Sequence, residues 1–532
     1  MSSRVPRRAV LSMFALATAG TVAAAHTLRE KLLRPGRLAA EAPVPLEAVE
    51  PLANVTAQLP SISEENRLPG SRNWIPDQNI RRASADGYGH IMGYASTTSA
   101  GHGETVDFHI SVRSARTYRV SVFRIGHYGG LGARLMTTSA ALTGRRQAAP
   151  VTDAATGAIS CSWARSWSIR IPASWRSGLY QAVFTTDDGY RSSTPFTVRE
   201  PERASALLCV IPFTTYQAYN MWPKDGRTGK DLYRGYLPTG AIGGTATRAL
   251  KVSFDRPYAG SGAPAWFNMD TAFVRWAEER GYDITYASSL DLHDGTVDPA
   301  RYRAVFFPGH DEYWSEPMYA SASRAVAAGR NLAFLGANNV YYHVRMERSP
   351  QGRPDRLMAC YKTTTDPAPD EAGPTTIWRS IRPDRSLAEQ RLLGIQFNGI
   401  VKEPTPLVVR QPGHWLWRGT GVRDGEQFPR LVGVEADGYD AASPAPEGRR
   451  TLLAESRYQD SKQAKTKIQQ TAVTEHAGGG MVFMAGTFHW PLTLVDDDIY
   501  TRNAVKASAV TKAKIRRATA NLVSRMTAGA PR

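Results

Sequence analysis

Ala304-Val305-Phe306-Phe307-Pro308-Gly309-His310-Asp311-Glu312-Tyr313-Trp314 reads as a buried strand that runs straight into an imidazole, two carboxylates and two aromatic rings. Open α/β sheets keep their chemistry at the carboxyl ends of their strands. Ala333-Phe334-Leu335-Gly336-Ala337-Asn338-Asn339 repeats the arrangement after one helical pattern, so two amides are expected beside His310 and Glu312. A polar site is being assembled there, although isolated buried polar groups also occur for purely structural reasons.

Around this stretch, residues 204 to 345 alternate short apolar strands with helical patterns. Leu207 to Pro212 predicts a strand, Asp270 to Arg280 a helix with Phe273, Trp276 and Ala277 on one face, and Asp283 to Tyr286 a second strand. Ala304 to Phe307 follows as the third strand, Met318 to Gly329 as a helix and Leu332 to Leu335 as the fourth strand. Units of this kind give a parallel sheet with covering helices. Later strand-like pieces, at Pro406 to Arg410, Leu431 to Glu435, Thr451 to Ala454 and Met481 to Ala485, are expected to extend the sheet or build onto it, and Thr511 to Met526 to close the fold as a helix.

Upstream the period changes to two. Val106, Phe108, Ile110 and Val112, then Tyr118, Val120 and Val122, then Tyr180, Ala182 and Phe184, alternate with polar residues between Gly-rich breaks. That pattern predicts an antiparallel, immunoglobulin-like β-sandwich over 66–200. Arg4, Arg7 and Arg8 precede an Ala-rich apolar run ending at Ala23-Ala24-Ala25, which reads as a signal peptide over 1–25, loosely of the twin-arginine kind. Residues 26–65 suit a tether, and the α/β part occupies 204–532. The expected location is therefore outside the cytoplasm, secreted or in the cell envelope, with no stable membrane span once the signal is removed.

Composition narrows the classes. The chain has 532 residues, 42% of them hydrophobic, enough for two to four domains with real cores. Three cysteines, Cys161, Cys209 and Cys360, are too few and too dispersed for a disulfide framework or a Cys-type zinc site. Cys209 sits within an apolar run and reads as core, not as a nucleophile. The net charge of +17 is spread along the chain without a compact basic block interleaved with aromatics, which argues against nucleic acid as a partner.

Further motifs stand at strand ends or in the loops facing them: Tyr216-Gln217-Ala218-Tyr219-Asn220, Ser253-Phe254-Asp255-Arg256-Pro257-Tyr258, and the late Ala485-Gly486-Thr487-Phe488-His489-Trp490. With Gly309 to Trp314, Gly336 to Asn339 and the front run Arg124-Ile125-Gly126-His127-Tyr128-Gly129-Gly130, the chain resembles the carboxyl-terminal part of the N,N-dimethylformamidase large subunit and its exported relatives, across most of residues 66 to 525. The resemblance implies a class I glutamine amidotransferase-like domain, a flavodoxin-like parallel sheet with a C-terminal β extension. It also implies a mononuclear iron held by two tyrosines and a glutamate, with His and Asn nearby, and hydrolysis of a small amide.

Carried over motif by motif, the resemblance makes Glu312 the carboxylate ligand, His310 its neighbour and Asn338 the amide. One tyrosine is Tyr258; the other is Tyr219 or Tyr216, with Tyr219 preferred. Glu435 is a further acidic partner. Phenolate and carboxylate are hard donors that suit iron as Fe3+, which polarises an amide carbonyl and acidifies a bound water while His310 moves protons and Asn338 donates to the oxyanion. The bland alternatives are specific: Tyr216, Tyr219 and Tyr258 as core aromatics, Glu312 as an ion-pair partner of Arg256, Asn338 as a left-handed turn residue. His127, His343 and His489 read as structural, and Trp222, Trp314 and Trp490 as pocket walls. The favoured reading is an exported, metal-dependent hydrolase of an amide-type C–N bond with a small-molecule amide substrate, a homo-oligomer being compatible. The alternative is a non-catalytic envelope or glycan-binding protein on the same scaffold, and a cysteine-dependent amidotransferase is disfavoured because no Cys stands at the third strand's end.

Overall fold

Period-two alternation builds the first half. Strands β1 (Ile91–Ala95), β2 (Ser99–Ala100), β3 (Thr105–Val112), β4 (Thr117–Ile125), β5 (Ala133–Thr138), β6 (Trp167–Arg170), β7 (Gly178–Thr186) and β8 (Arg191–Val198) form two sheets, β1-β3-β6 and β2-β8-β7-β4-β5. Phe108 and Ile110 from one sheet meet Val120, Val122, Phe184 and Phe196 from the other in a shared apolar layer. The structure, a computed structural model, describes residues 59–75, 83–203, 205–446, 448–496 and 505–528. The expected signal over 1–25 and most of the tether lie outside them. The last tether residues differ from expectation: Ile62–Glu65 is a helical turn with a capping box between Ser61 and Glu64.

The second half is built on a seven-stranded sheet, with smaller sheets and ribbons added to it. It contains β9 (Leu207–Ile211), β10 (Ile284–Ser288), β11 (Ala304–Phe307), β12 (Asn331–Phe334), β14 (Gly448–Gln459), β15 (Thr466–His476) and β16 (Met481–Met484). The order is β10-β9-β11-β12-β16-β15-β14; the first five are parallel and the last two join antiparallel. Taken in chain order, the parallel strands run 2-1-3-4-5, so the winding reverses between β9 and β11, the place where such sheets open a crevice.

Strict alternation inside these strands sorts their side chains to two covered faces. Cys209, Phe306 and Phe483 pack with Phe273 and Trp276 of α2 (Phe267–Glu279) and with Ile515 and Leu522 of α4 (Ala509–Thr527). Val210, Val305, Phe307, Phe334 and Met484 pack with Met318 and Ala322 of α3 (Glu316–Ala327). A short helix α1 (Phe213–Ala218) follows β9, and a two-stranded ribbon contributes β13 (Glu435–Gly438). The architecture is mixed α/β, dominated by sheet, with few helices and no closed barrel among the described residues. No described helix is long and apolar enough to cross a membrane.

The two halves meet through a buried ion pair. Arg124, from the front run noted above, donates through both terminal nitrogens to Glu278 of α2 at 2.8 and 2.7 Å, with both side chains fully shielded from solvent. Tyr286 donates to the same carboxylate at 2.9 Å, and Tyr128 donates to Glu65 at 2.7 Å. Gly126 leaves room for this: a Cβ there would stand 2.4 Å from a Glu278 oxygen.

Candidate metal centre at the strand ends

At the switch point, β9 runs into α1 and Tyr219, which closes that helix, while β11 runs through Gly309 into His310 and Glu312. The turns approach so closely that two glycines are required. A Cβ at Gly309 would lie 2.5 Å from an Asp270 oxygen, and one at Gly336 would lie 2.3 Å from the Gly309 carbonyl. Thr215 of α1 accepts the Glu312 amide at 2.9 Å, and the Asn339 side chain accepts the Asp311 amide at 3.0 Å, so both neighbouring strand ends grip this turn.

Glu312 is the centre of the cluster. Tyr219 donates to its Oε2 at 2.6 Å and Tyr233 to its Oε1 at 2.5 Å, while the two phenol oxygens are 3.0 Å apart. His310 Nε2 lies 3.1 Å from Glu312 Oε2 and 3.2 Å from the Tyr219 oxygen; its Nδ1–H donates to the Ala337 carbonyl at 3.0 Å, which sets the ring. Three oxygen contacts link the two phenols and the carboxylate, yet only two phenolic protons exist, so one contact brings lone pairs together. A cation would relieve that. Ligand oxygens about 2.0–2.2 Å from one ion naturally sit close to 3 Å apart, so the donor set fits a hard cation. Among the described residues no group of three or more His, Cys, Asp or Glu is arranged to hold a metal; any ion here must draw on the phenols.

The expected residues separate. Tyr219, Glu312 and His310 come together. Tyr216 does not join them: it is fully buried and donates to Asp270 Oδ2 at 2.6 Å. Tyr258 also stands outside, its ring edge-on to Tyr216 at 6.4 Å and its hydroxyl bonded to Gln217. Tyr233, from the loop between α1 and α2, takes the place beside Glu312 that Tyr258 was expected to fill. The Arg-Pro-Tyr loop instead works through Arg256, which donates to the carbonyls of Asn220 at 2.8 Å and Lys230 at 3.1 Å. It therefore ties together the segments that carry Tyr219 and Tyr233, and is not the partner of Glu312. Asn338 adopts the left-handed backbone, φ 54°, and its amide N–H is held by Asp437 Oδ1 at 2.9 Å, while its side chain bonds Glu435.

Sequence reasoning missed Tyr233 and Lys362. Asp231 accepts the amides of Tyr233 and Arg234 at 2.7 and 2.8 Å, an Asx turn that was the available signal for an ordered loop. Lys362 lies 3.4 Å from the centre of the Tyr233 ring and donates to Tyr313 at 2.8 Å; nothing in its sequence context marks it. Trp314, Trp490 and Trp222, expected as pocket walls, are core residues packed on Phe307, Phe483 and Trp163. Trp266 and Phe488 take the wall role beside His310, at ring separations of 6.2 and 4.6 Å.

Burial raises both Tyr219 and Tyr233 well above the usual phenol value, and the Glu312 charge adds to it. For Glu312 burial pushes upward, but the hydrogen bond and charge of His310, with Lys362 behind, outweigh it and leave the carboxyl below its ordinary range. His310 is correspondingly raised to about 9: Glu312 overcomes the desolvation that would lower it. Glu435, raised to about 7 by burial and by the Glu312 charge, is poised to hold or release a proton near neutrality. Burial also raises Asp437 to about 7 and lowers Lys362 to about 8.

Residues 119–503 match the model of the family described as N,N-dimethylformamidase beta subunit-like, C-terminal. The chain belongs to that family. The match spans both the Arg124 junction and the Tyr219–Glu312 cluster, so the two features fall within one family module. No curated protein matches the chain. Among solved structures, the sulfur carrier protein SoxY from Chlorobium limicola f thiosulfatophilum aligns at 12% identity over 21% of this chain and 80% of its own, with a TM-score of 0.12. A superoxide reductase (neelaredoxin) from Ignicoccus hospitalis aligns at 7% identity over 25% of this chain and 95% of its own, TM-score 0.13. A cycloisomaltooligosaccharide glucanotransferase from Paenibacillus sp. aligns at 13% identity over 47% of this chain and 38% of its own, TM-score 0.16.

Proposed function

We propose that this dimethylformamidase-like protein is an exported, metal-dependent hydrolase of the C–N bond of a small carboxamide, with one trivalent iron held by Tyr219, Tyr233 and Glu312. The observation that carries the reading is the convergence of those three side chains at the switch point, with their oxygens 2.5 to 3.0 Å apart. When bound, the ion would act as a Lewis acid toward the amide carbonyl and lower the pKa of a water. His310, its Nδ1–H committed to Ala337, keeps Nε2 at the phenol and carboxylate oxygens, where it holds a proton beside the ligand set. Asn338, fixed by Asp437, turns its side chain toward Glu435 and is the donor available to a developing oxyanion. Glu435 supplies the proton that the leaving amine must gain. Trp266 and Phe488, ring centres 5.0 Å apart beside His310, favour a compact, apolar substituent on the amide.

We read the front sheets as an immunoglobulin-like sandwich and the second half as an amidotransferase-like, flavodoxin-type domain with a β extension. The face-to-face packing and the 2-1-3-4-5 strand order support this. The charged, apolar and small-residue runs before residue 26 support export.

The test uses the full chain loaded with ferric iron: about one iron per chain, a visible phenolate-to-iron absorption band, and hydrolysis of small N-substituted carboxamides are expected. A protein that takes up no iron and cleaves no amide in such a panel would overturn the reading.

A further inference from the structure

Three turns converge at one end of the front sandwich and enclose a cavity of about 490 Å³ lined by His90, Arg113, Ser114, Arg116, Thr186, Asp188 and Tyr190. Loop ends of β-sandwiches are common places for binding sites, because the sheets hold the turns while the turns remain free to vary. Nothing in the strand-end chemistry uses this cavity.

Its walls have a definite character. The His90 ring lies parallel to Tyr190, 3.7 Å between ring centres, and Tyr88 stacks on it at 5.4 Å. Tyr88 is 64% exposed, so its ring is open to a bound molecule. Burial and the charges of Arg113 and Arg116 hold His90 below the usual imidazole value, so it is neutral at physiological pH, and its Nδ1 is buried without a hydrogen-bond partner.

Charge decides the ligand class. Arg116 is paired with Asp188 and also donates to Ser114 Oγ at 3.0 Å. Arg113 is exposed, and no ion pair or side-chain hydrogen bond engages its guanidinium among the described residues. With His90 neutral, the described lining carries one positive charge, Arg113, beyond the Arg116–Asp188 pair, beside the stacked rings and the Ser114 hydroxyl; the Thr186 hydroxyl donates to Asp188 at 2.7 Å. A single carboxylate satisfies Arg113 through a paired hydrogen bond, ring faces suit the C–H side of a pyranose, and the Ser114 hydroxyl, still able to donate, suits a sugar OH group.

We propose that this cavity is a binding subsite for a carboxylated pyranose, a uronic acid residue presented free or within a polysaccharide. The subsite is independent of the metal centre and would place the sandwich as the part that anchors the chain to an acidic glycan.

Titration calorimetry on the full chain tests it with glucuronate, a glucuronate-containing oligosaccharide, glucose and inorganic sulfate. Saturable binding of glucuronate, at least about tenfold tighter than glucose and lost in Arg113→Gln, is expected, since one hydrogen-bonded charge pair is worth that much. Tighter binding of the oligosaccharide would identify the polymer as the source; equal binding would identify the free sugar. Tyr190→Ala should weaken both saccharides while circular dichroism stays native, and Arg113→Gln should leave amide hydrolysis unchanged. No saturable binding of either saccharide, sulfate binding as well as glucuronate, or full binding by Arg113→Gln would each overturn the proposal.

Discussion

At the junction of the halves, Glu278 is gripped through both oxygens by Arg124, with Tyr286 as a third donor; at the strand ends, Glu312 is gripped through both oxygens by Tyr219 and Tyr233, with His310 alongside. Both carboxylates are fully buried among phenols, yet the first has a permanent cation that reaches both oxygens and the second does not. The junction is electrically closed and needs nothing further. The strand-end cluster gathers more oxygen donors than it has protons for, and has Glu435, Asp437 and Asp311 close by, each raised to about 7 by burial. Structural pairing satisfies a buried charge; a functional site leaves it open to a ligand.

The sharpest way to break this contrast is to remove one phenol. Tyr233→Phe should abolish iron uptake and its visible band and lower amide hydrolysis by about 10³-fold, whereas Tyr258→Phe should keep iron and stay within a few-fold of wild type; equal losses in metal content and kcat would return Tyr258 to the centre. Asn338→Ala, which spares the donors, should lower kcat by about 10²-fold with KM little changed and iron content intact. At the junction, Arg124→Met leaves Glu278 charged and unpaired and should cost about 3–5 kcal/mol of stability. Adding Glu278→Leu should restore most of it in chemical denaturation, while iron binding is untouched throughout; a double variant no more stable than the single would show that the pair is not the closed unit described.

Asp270 gives the smallest and most selective effect. Burial raises it to about 8, and Tyr216 donates to it. A carboxyl whose folded pKa lies above its unfolded value of about 3.9 binds more protons when folded. Its stabilising contribution is therefore complete below pH 4 and lost as pH rises toward 8. Asp270→Asn should remove that slope, so that the unfolding free energies of variant and wild type diverge by on the order of 1–3 kcal/mol between pH 5 and 9, with the variant the more stable at pH 9. Parallel melting curves across that range would contradict the assignment.

Much of the fold was legible because it rests on periodicity. The β9, β11 and β12 runs are unbroken apolar stretches of the kind that only a doubly covered sheet tolerates, and the period-two runs before Pro201 mark sandwich strands, although β4, β7 and β8 prove buried on both faces because their second face packs on the other half. Strand β15, Thr466–His476, escaped notice because its alternation is built from Gln, Thr and Ala, polar enough to resemble a loop until β14 and β16 pair with it on either side. In the site, His310, Glu312 and Asn338 were legible because each follows a strand by a turn of fixed length. Between Tyr216 and Tyr219 only the family resemblance favoured Tyr219; the residue pattern alone does not say which phenol reaches Asp270 and which Glu312, a choice made by the packing of α2.

Local pattern was enough to say where the strands end and that an imidazole, a carboxylate and an amide would stand at those ends, because strand periodicity and turn position are local. Which phenols reach Glu312 was decided only in three dimensions. Tyr233 and Lys362 arrive on long connections whose course depends on Asp231, Arg256 and the Gly309–Gly336 contact, and no local pattern encodes where such a loop lands.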